Sequence, residues 1–215
     1  MKCLLIETST ERGFVAIFEG KTLVLHTELP IGFQNSTFLL PEVDRAFKVL
    51  EMKPSELDYI GVGTGPGSYT GIRVGAITAK TLAFALNKPL VGICSLEGFI
   101  PTDDGVFAAV IDAKIGGVYV HLGEKRGDQI EWLSKPEVFP LAEAAEVMRV
   151  ARMIVTPNAT MIKNKLIGYD WIWEERSPDV QYMARRVAEA MQQGVSGELE
   201  LLYLRKTQAE INRGK

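Results

Sequence analysis

The chain runs through one succession of elements twice, and that repeat constrains its fold more than any single residue. Residues 3–8 and 14–18 are β-rich runs on either side of Ser9-Thr10-Glu11-Arg12-Gly13, a hairpin pattern. A third strand follows at 22–29, after the turn at Glu19-Gly20-Lys21. Leu39, Val43, Ala46, Phe47 and Leu50 then recur at helical spacing. They predict an amphipathic helix over 36–51, with Pro41 near its start, where a missing amide hydrogen costs least. A strand at 58–63, a helix over 71–87, a strand at 89–94 and a short helix capped by Ser95 close this half. The order then begins again. Strands are expected at 106–112, 118–122 and 129–134, a helix at 140–150 and a strand at 152–156. The last helix opens on Ser177-Pro178, buries Val180, Met183, Val187 and Met191, and closes at Gly194. Each half reads βββαβα in an α/β chain. Domains are expected at 1–101 and 102–215, the second reduced, with the polar stretch Pro101-Thr102-Asp103-Asp104-Gly105 between them.

Composition narrows the classes of function. A net charge of −3 gives the chain no electrostatic footprint for nucleic acid, so an RNA would be met through a partner. The apolar run at the N-terminus is broken by Glu7, too early for a signal peptide, and no segment has the length of a membrane span. Cys3 and Cys94 lie in apolar, strand-like runs and read as buried thiols. A cytoplasmic location without membrane contact is expected.

Between a strand and a helix lies Gly65-Pro66-Gly67-Ser68-Tyr69-Thr70-Gly71-Ile72-Arg73-Val74-Gly75. A Gly-rich turn at a helix N-terminus is the usual frame for an anion site. A P-loop, however, needs Lys after its last glycine, and here Ile72-Arg73 follows Gly71. A dinucleotide fingerprint needs a third glycine where the chain has Ser68 or Thr70. Ser68 reads as a helix cap rather than a nucleophile, since nothing places a histidine beside it. The following helix carries Gly71, Gly75, Ala79 and Ala83 at four-residue intervals. Such a stripe admits close approach, either to the chain's own sheet or to another subunit. We take the subunit as the leading expectation, with Ile72, Arg73, Ala76 and Leu82 around the stripe. On that reading Gly75→Leu or Ala79→Trp abolishes association and leaves the monomer folded.

The Gly65–Gly75 segment resembles the signature of the TsaB (YeaZ) family of bacterial threonylcarbamoyladenosine synthesis. So do the Leu39-Leu40-Pro41 helix before it and Pro89-Leu90-Val91-Gly92-Ile93 after it. Ile6-Glu7-Thr8-Ser9-Thr10, Asp112-Ala113-Lys114 with Val118-Tyr119, and Tyr203-Leu204-Arg205 match further family positions. The similarity is strong over 1–122 and weak from 123 to 200. It implies a duplicated actin-like ATPase fold, shared with Hsp70, actin and sugar kinases, whose two halves face each other across a cleft. It also implies a non-catalytic subunit that binds a TsaD-like catalytic paralogue, works with a TsaE-like ATPase, forms a homodimer when alone and meets tRNA only through the complex.

The residues agree with a subunit lacking its own chemistry, with no cofactor and no metal expected. Where the resemblance implies an H-x-x-x-H pair in the catalytic paralogue, this chain has Asn35 and Leu39. Its two histidines, His26 and His121, fall on different predicted strands. Glu7-Thr8-Ser9 and Asp112-Ala113-Lys114 occupy the nucleotide hairpins of the actin-like fold in a vestigial form, Glu7 standing where Asp is usual. Lys114-Ile115 replaces the small residues that wrap phosphate, and Val155-Thr156-Pro157-Asn158-Ala159 has no glycine to admit an adenosine. The alternative is a stand-alone degenerate ATPase or an M22-type glycoprotease-like peptidase.

Overall fold

The structure is a computed structural model that describes residues 1–32, 35–114, 117–166 and 170–204. Its first sheet is built from β1 (Lys2–Glu7), β2 (Phe14–Glu19), β3 (Thr22–Glu28), β4 (Tyr59–Gly63) and β5 (Leu90–Ile93), in the order β3-β2-β1-β4-β5. The hairpin pairs β1 with β2 from Lys2↔Glu19 to Glu7↔Phe14, and β2 and β3 are also antiparallel. β4 and β5 join in parallel, a pairing that needs a crossover connection and here has a helix before each strand. Those helices are α1 (Asn35–Val49) and α2 (Tyr69–Leu86).

The second sheet contains β6 (Gly105–Asp112), β7 (Gly117–Arg126), β8 (Gln129–Trp132), β10 (Met153–Thr156) and β11 (Ile172–Glu175), in the order β11-β10-β6-β7-β8. Read from β8 to β11, this is the order of the first sheet. The repeat seen in the sequence is therefore a repeat of topology, and the fold is the duplicated actin-like one. An extra strand, β9 (Glu137–Pro140), pairs with the first residues of β7, Gly117 to Val120, whereas β8 pairs with its last, Gly123 to Arg126. The helices α3 (Leu141–Val147) and α4 (Ala159–Lys163) are short, and α5 (Val180–Gln192) ends the described elements.

The sequence pattern misses β9, α4 and β11, each of five residues or fewer, although it finds β5, β8 and β10 at four residues each. Pro41 lies inside α1 rather than near its start. The last helix is capped by Asp179, whose carboxylate accepts from the Tyr182 amide at 2.9 Å, and not by Ser177-Pro178.

A larger difference concerns the halves. The described residues form two compact units, Met1–Gly98 with Ser177–Leu201, and Phe99–Arg176 with Leu202–Leu204. The expected 102–215 half therefore does not keep its terminal helix. The reason is burial. On one face of the first sheet, Leu4, Ile6, Val15 and Ile17 pack against Leu39, Val43 and Phe47 of α1 and Ala79 and Ala83 of α2. The opposite face is equally apolar, with Cys3, Leu5, Phe14, Ala16, Tyr59 and Val91, and needs its own cover. Val180, Met183 and Val187 of α5 provide it. A Cβ on Gly61 of β4 would come 2.8 Å from Val187, so this glycine lets the helix settle on the sheet. In the other unit, Ala108, Val110, Val118 and Val120 pack with Ala144, Met148, Ile162 and Trp171. No helix among the described residues is long and apolar enough to cross a membrane.

Candidate functional site

The Gly65–Gly75 segment packs against the turn of the first hairpin. The Ser68 amide donates to the Ser9 carbonyl at 2.7 Å, and the Thr8 hydroxyl donates to the Gly71 carbonyl at 2.8 Å. At the other end, Ser95 and Gly65 exchange two bonds. The Ser95 amide donates to the Gly65 carbonyl at 2.7 Å, and the Gly65 amide donates to the Ser95 hydroxyl at 3.0 Å. The Gly65–Pro66 peptide is cis. Asn35, at the head of α1, donates through Nδ2 to the carbonyls of Thr8 and Thr10. The loop, both helices and the strand ends thus converge on residues 7–10, all four of them buried.

This geometry explains the glycines. A Cβ on Gly67 would lie 2.3 Å from the Ser9 carbonyl oxygen, on Gly71 2.1 Å from that of Thr8, and on Gly75 2.3 Å from the Thr8 hydroxyl. The small-residue stripe is consumed within the chain. Gly71, Ile72, Gly75, Ala76, Ala79 and Ala83 are buried, and Leu82 is half-buried against the same core. Of the expected interface residues only Arg73 is exposed. It lies over the Tyr69 ring, 3.9 Å from the centroid, and donates to the Tyr69 hydroxyl. The close approach is to the chain's own hairpin and sheet, so Gly75→Leu and Ala79→Trp would strike the monomer's core. Ser68 acts as the cap, its hydroxyl accepting from the Gly71 amide at 3.3 Å.

The outward face of α2 carries Arg73, Ile77, Lys80, Thr81 and Phe84. Ile77 is 64% and Phe84 89% exposed. Their seven-residue spacing places them on one face, a signal present in the sequence but overshadowed by the glycines.

The two hairpin carboxylates have different surroundings. Glu7 is 1% exposed, and its Oε1 accepts from the Ser9 amide at 2.5 Å. Its Oε2, near the Ser95 hydroxyl, has no hydrogen bond. Burial raises its pKa above the usual carboxylate range, and the nearby hydroxyls of Ser9 and Ser95 with the Ser9 amide offset this only in part. Asp112 accepts from the Lys114 amide at 2.9 Å and from Lys165 Nζ at 2.9 Å. Ile115 and Gly116 of that turn, and the tail from Arg205, lie outside the described residues.

His26 is exposed on β3, edge-on to Phe14. His121 is buried on β7, stacked on Trp132 with ring centroids 4.0 Å apart and hydrogen-bonded to the Ser134 carbonyl at 3.1 Å. Among the described residues, no three His, Cys, Asp or Glu side chains gather as a metal would require. Asn35 and Leu39, at the positions compared with a histidine pair, serve the hairpin and the core.

The comparisons with known proteins agree with this geometry. The family model for TsaD, tRNA N6-adenosine threonylcarbamoyltransferase, matches residues 34–200. The tRNA threonylcarbamoyladenosine biosynthesis protein TsaB of Bacillus subtilis is 30% identical over 152 residues, 69% of this chain and 66% of that protein. The Escherichia coli protein of the same name is 30% identical over 149 residues, 64% of each. The matched stretch thus spans just under two thirds of the length of these curated relatives. Among solved structures, YeaZ from Pseudomonas aeruginosa superimposes with a TM-score of 0.77 at 22% identity, over 92% of this chain and 95% of that one, which shows the shared fold. With its hairpin-bound glycine loop, and with most of its length matched by the family model, the chain belongs to the TsaD family, among its TsaB (YeaZ) members.

Proposed function

We propose that this chain is a non-catalytic subunit of a tRNA threonylcarbamoyladenosine-forming assembly, docking on a TsaD-like paralogue through the outward face of α2. The observation that carries the reading is the pair Ile77 and Phe84, two large apolar side chains exposed on the helix face that also carries Arg73 and Lys80. Apolar anchors among basic residues suit a partner with an apolar centre and an acidic rim. In the absence of that partner the same face pairs with a second copy. A TsaE-like ATPase joins the complex, and tRNA is held through the partner rather than by this acidic chain. Support for the subunit role also comes from the first hairpin, whose Ser9 amide is already taken by Glu7.

Co-purification with the TsaD-like paralogue from the same genome, followed by a threonylcarbamoylation assay with and without this chain, tests the proposal. The expected result is a stable complex and modification that depends on the chain. Full modification without it, or turnover of ATP or peptide by the chain alone, favours the stand-alone enzyme.

A further inference from the structure

The duplication relates Glu7 to Asp112. Each is the last residue of the first strand of its sheet, β1 or β6, and each accepts a hydrogen bond from the amide two residues ahead, Ser9 or Lys114. The same local turn has thus kept a carboxylate at both places. What surrounds each carboxylate within the chain differs.

At Glu7, the groups acting on the carboxylate are the hydroxyls of Ser9 and Ser95 and the amides of Ser9 and Thr8. No basic side chain is among them. From the end of β4 it faces Gly63, where a Cβ would lie 1.9 Å from Oε2. Near the end of β5 it faces Ser95 and the Cys94 thiol, which is itself pushed up to about 12, chiefly by burial. A carboxylate 1% exposed, with one oxygen unpartnered and no cation opposite among the described residues, is a costly arrangement. A carboxylic acid in the same place is not, because its O–H can turn to a serine hydroxyl. At Asp112, by contrast, a carboxylate 9% exposed meets Lys165 Nζ at 2.9 Å, with Lys114 Nζ at 3.7 Å. Lys165 follows α4, far away in sequence, and the fold alone brings it there.

We propose that the two equivalent hairpins are each neutralised from within, Glu7 by a proton it retains and Asp112 by the ammonium of Lys165, so that neither recruits an external cation. The duplicated carboxylates then serve to hold their turns closed, and Lys165 is a positioning residue for the second hairpin. This assignment stands apart from the docking reading and does not depend on it.

Infrared spectroscopy of the intact chain at pH 7 tests the first half. A protonated-carboxyl band that disappears in Glu7→Gln is expected, and its absence from the native chain overturns the assignment. For the second half, Lys165→Met and Asp112→Asn are made singly and together and unfolded in urea. Each single change is expected to lower the folding constant about tenfold, with the double change far short of a hundredfold. Effects that multiply to within twofold overturn the pairing. Magnesium chloride is expected to leave the melting temperature of the native chain unchanged, and a rise of several degrees overturns internal neutralisation.

Discussion

A Cβ at Gly71 would meet the carbonyl oxygen of Thr8 at 2.1 Å, and backbone cannot swing aside as a side-chain tip can. Gly71→Ala should therefore cost about 3 kcal/mol of stability, read from urea unfolding, far more than a helix-interior glycine normally returns on replacement by alanine. A neutral or stabilising result would mean that the hairpin is not seated as described. His121 offers a second residue-scale test. Burial lowers its pKa to about 4 from 6.5, and the Ser134 carbonyl only partly offsets this. Between those values the unfolded chain binds the proton and the folded chain does not. Stability contributed by neutral His121 is thus full above pH 6.5 and is lost as pH falls towards 4, by about 3 kcal/mol. His121→Phe keeps the ring on Trp132 and should flatten that part of the pH profile. A slope unchanged from the native chain would count against it. The glycines were visible in the sequence, but what they approach was not, because Thr8 lies sixty-three residues from Gly71.

On α2 the small residues face inward and Ile77 and Phe84 outward, the reverse of what a helix-borne interface built on glycines requires. Association and stability should therefore respond to different residues. Phe84→Glu should weaken binding to a TsaD-like partner at least tenfold, by titration calorimetry, and leave the melting temperature within a degree or two of native. Equal affinity for the variant would move the docking face elsewhere. The existence, order and approximate ends of both long helices in the first unit were legible, because fifteen and eighteen residues carry several turns of pattern. Which stripe of α2 meets the sheet was not. Alanine and glycine are compatible with either a strand or a second helix, and the hairpin alone decides.

For the molecule as a whole, the consequence is that a unit formed early in the chain is completed late. A fragment 1–101 leaves the β1–β5 face opposite α1 and α2 without the cover of Val180, Met183 and Val187. It should lack a cooperative thermal transition and bind a hydrophobic dye. Residues 1–98 joined by a flexible linker to 177–201 should regain a cooperative transition. A fragment 1–101 that melts cooperatively would show that α5 is dispensable. The sequence by itself determined the repeat, every strand but β9 and β11, the two long helices, the capping role of Ser68 and the signature that identifies the family, since all of these are written in local periodicity and turn chemistry. Only the tertiary structure decided that α5 belongs to the first unit, that the glycines of the stripe are spent on Thr8, and that Lys165 answers Asp112. Those outcomes depend on which distant surfaces remain uncovered and which distant charges meet, and residues far apart in the chain carry no record of each other in local pattern.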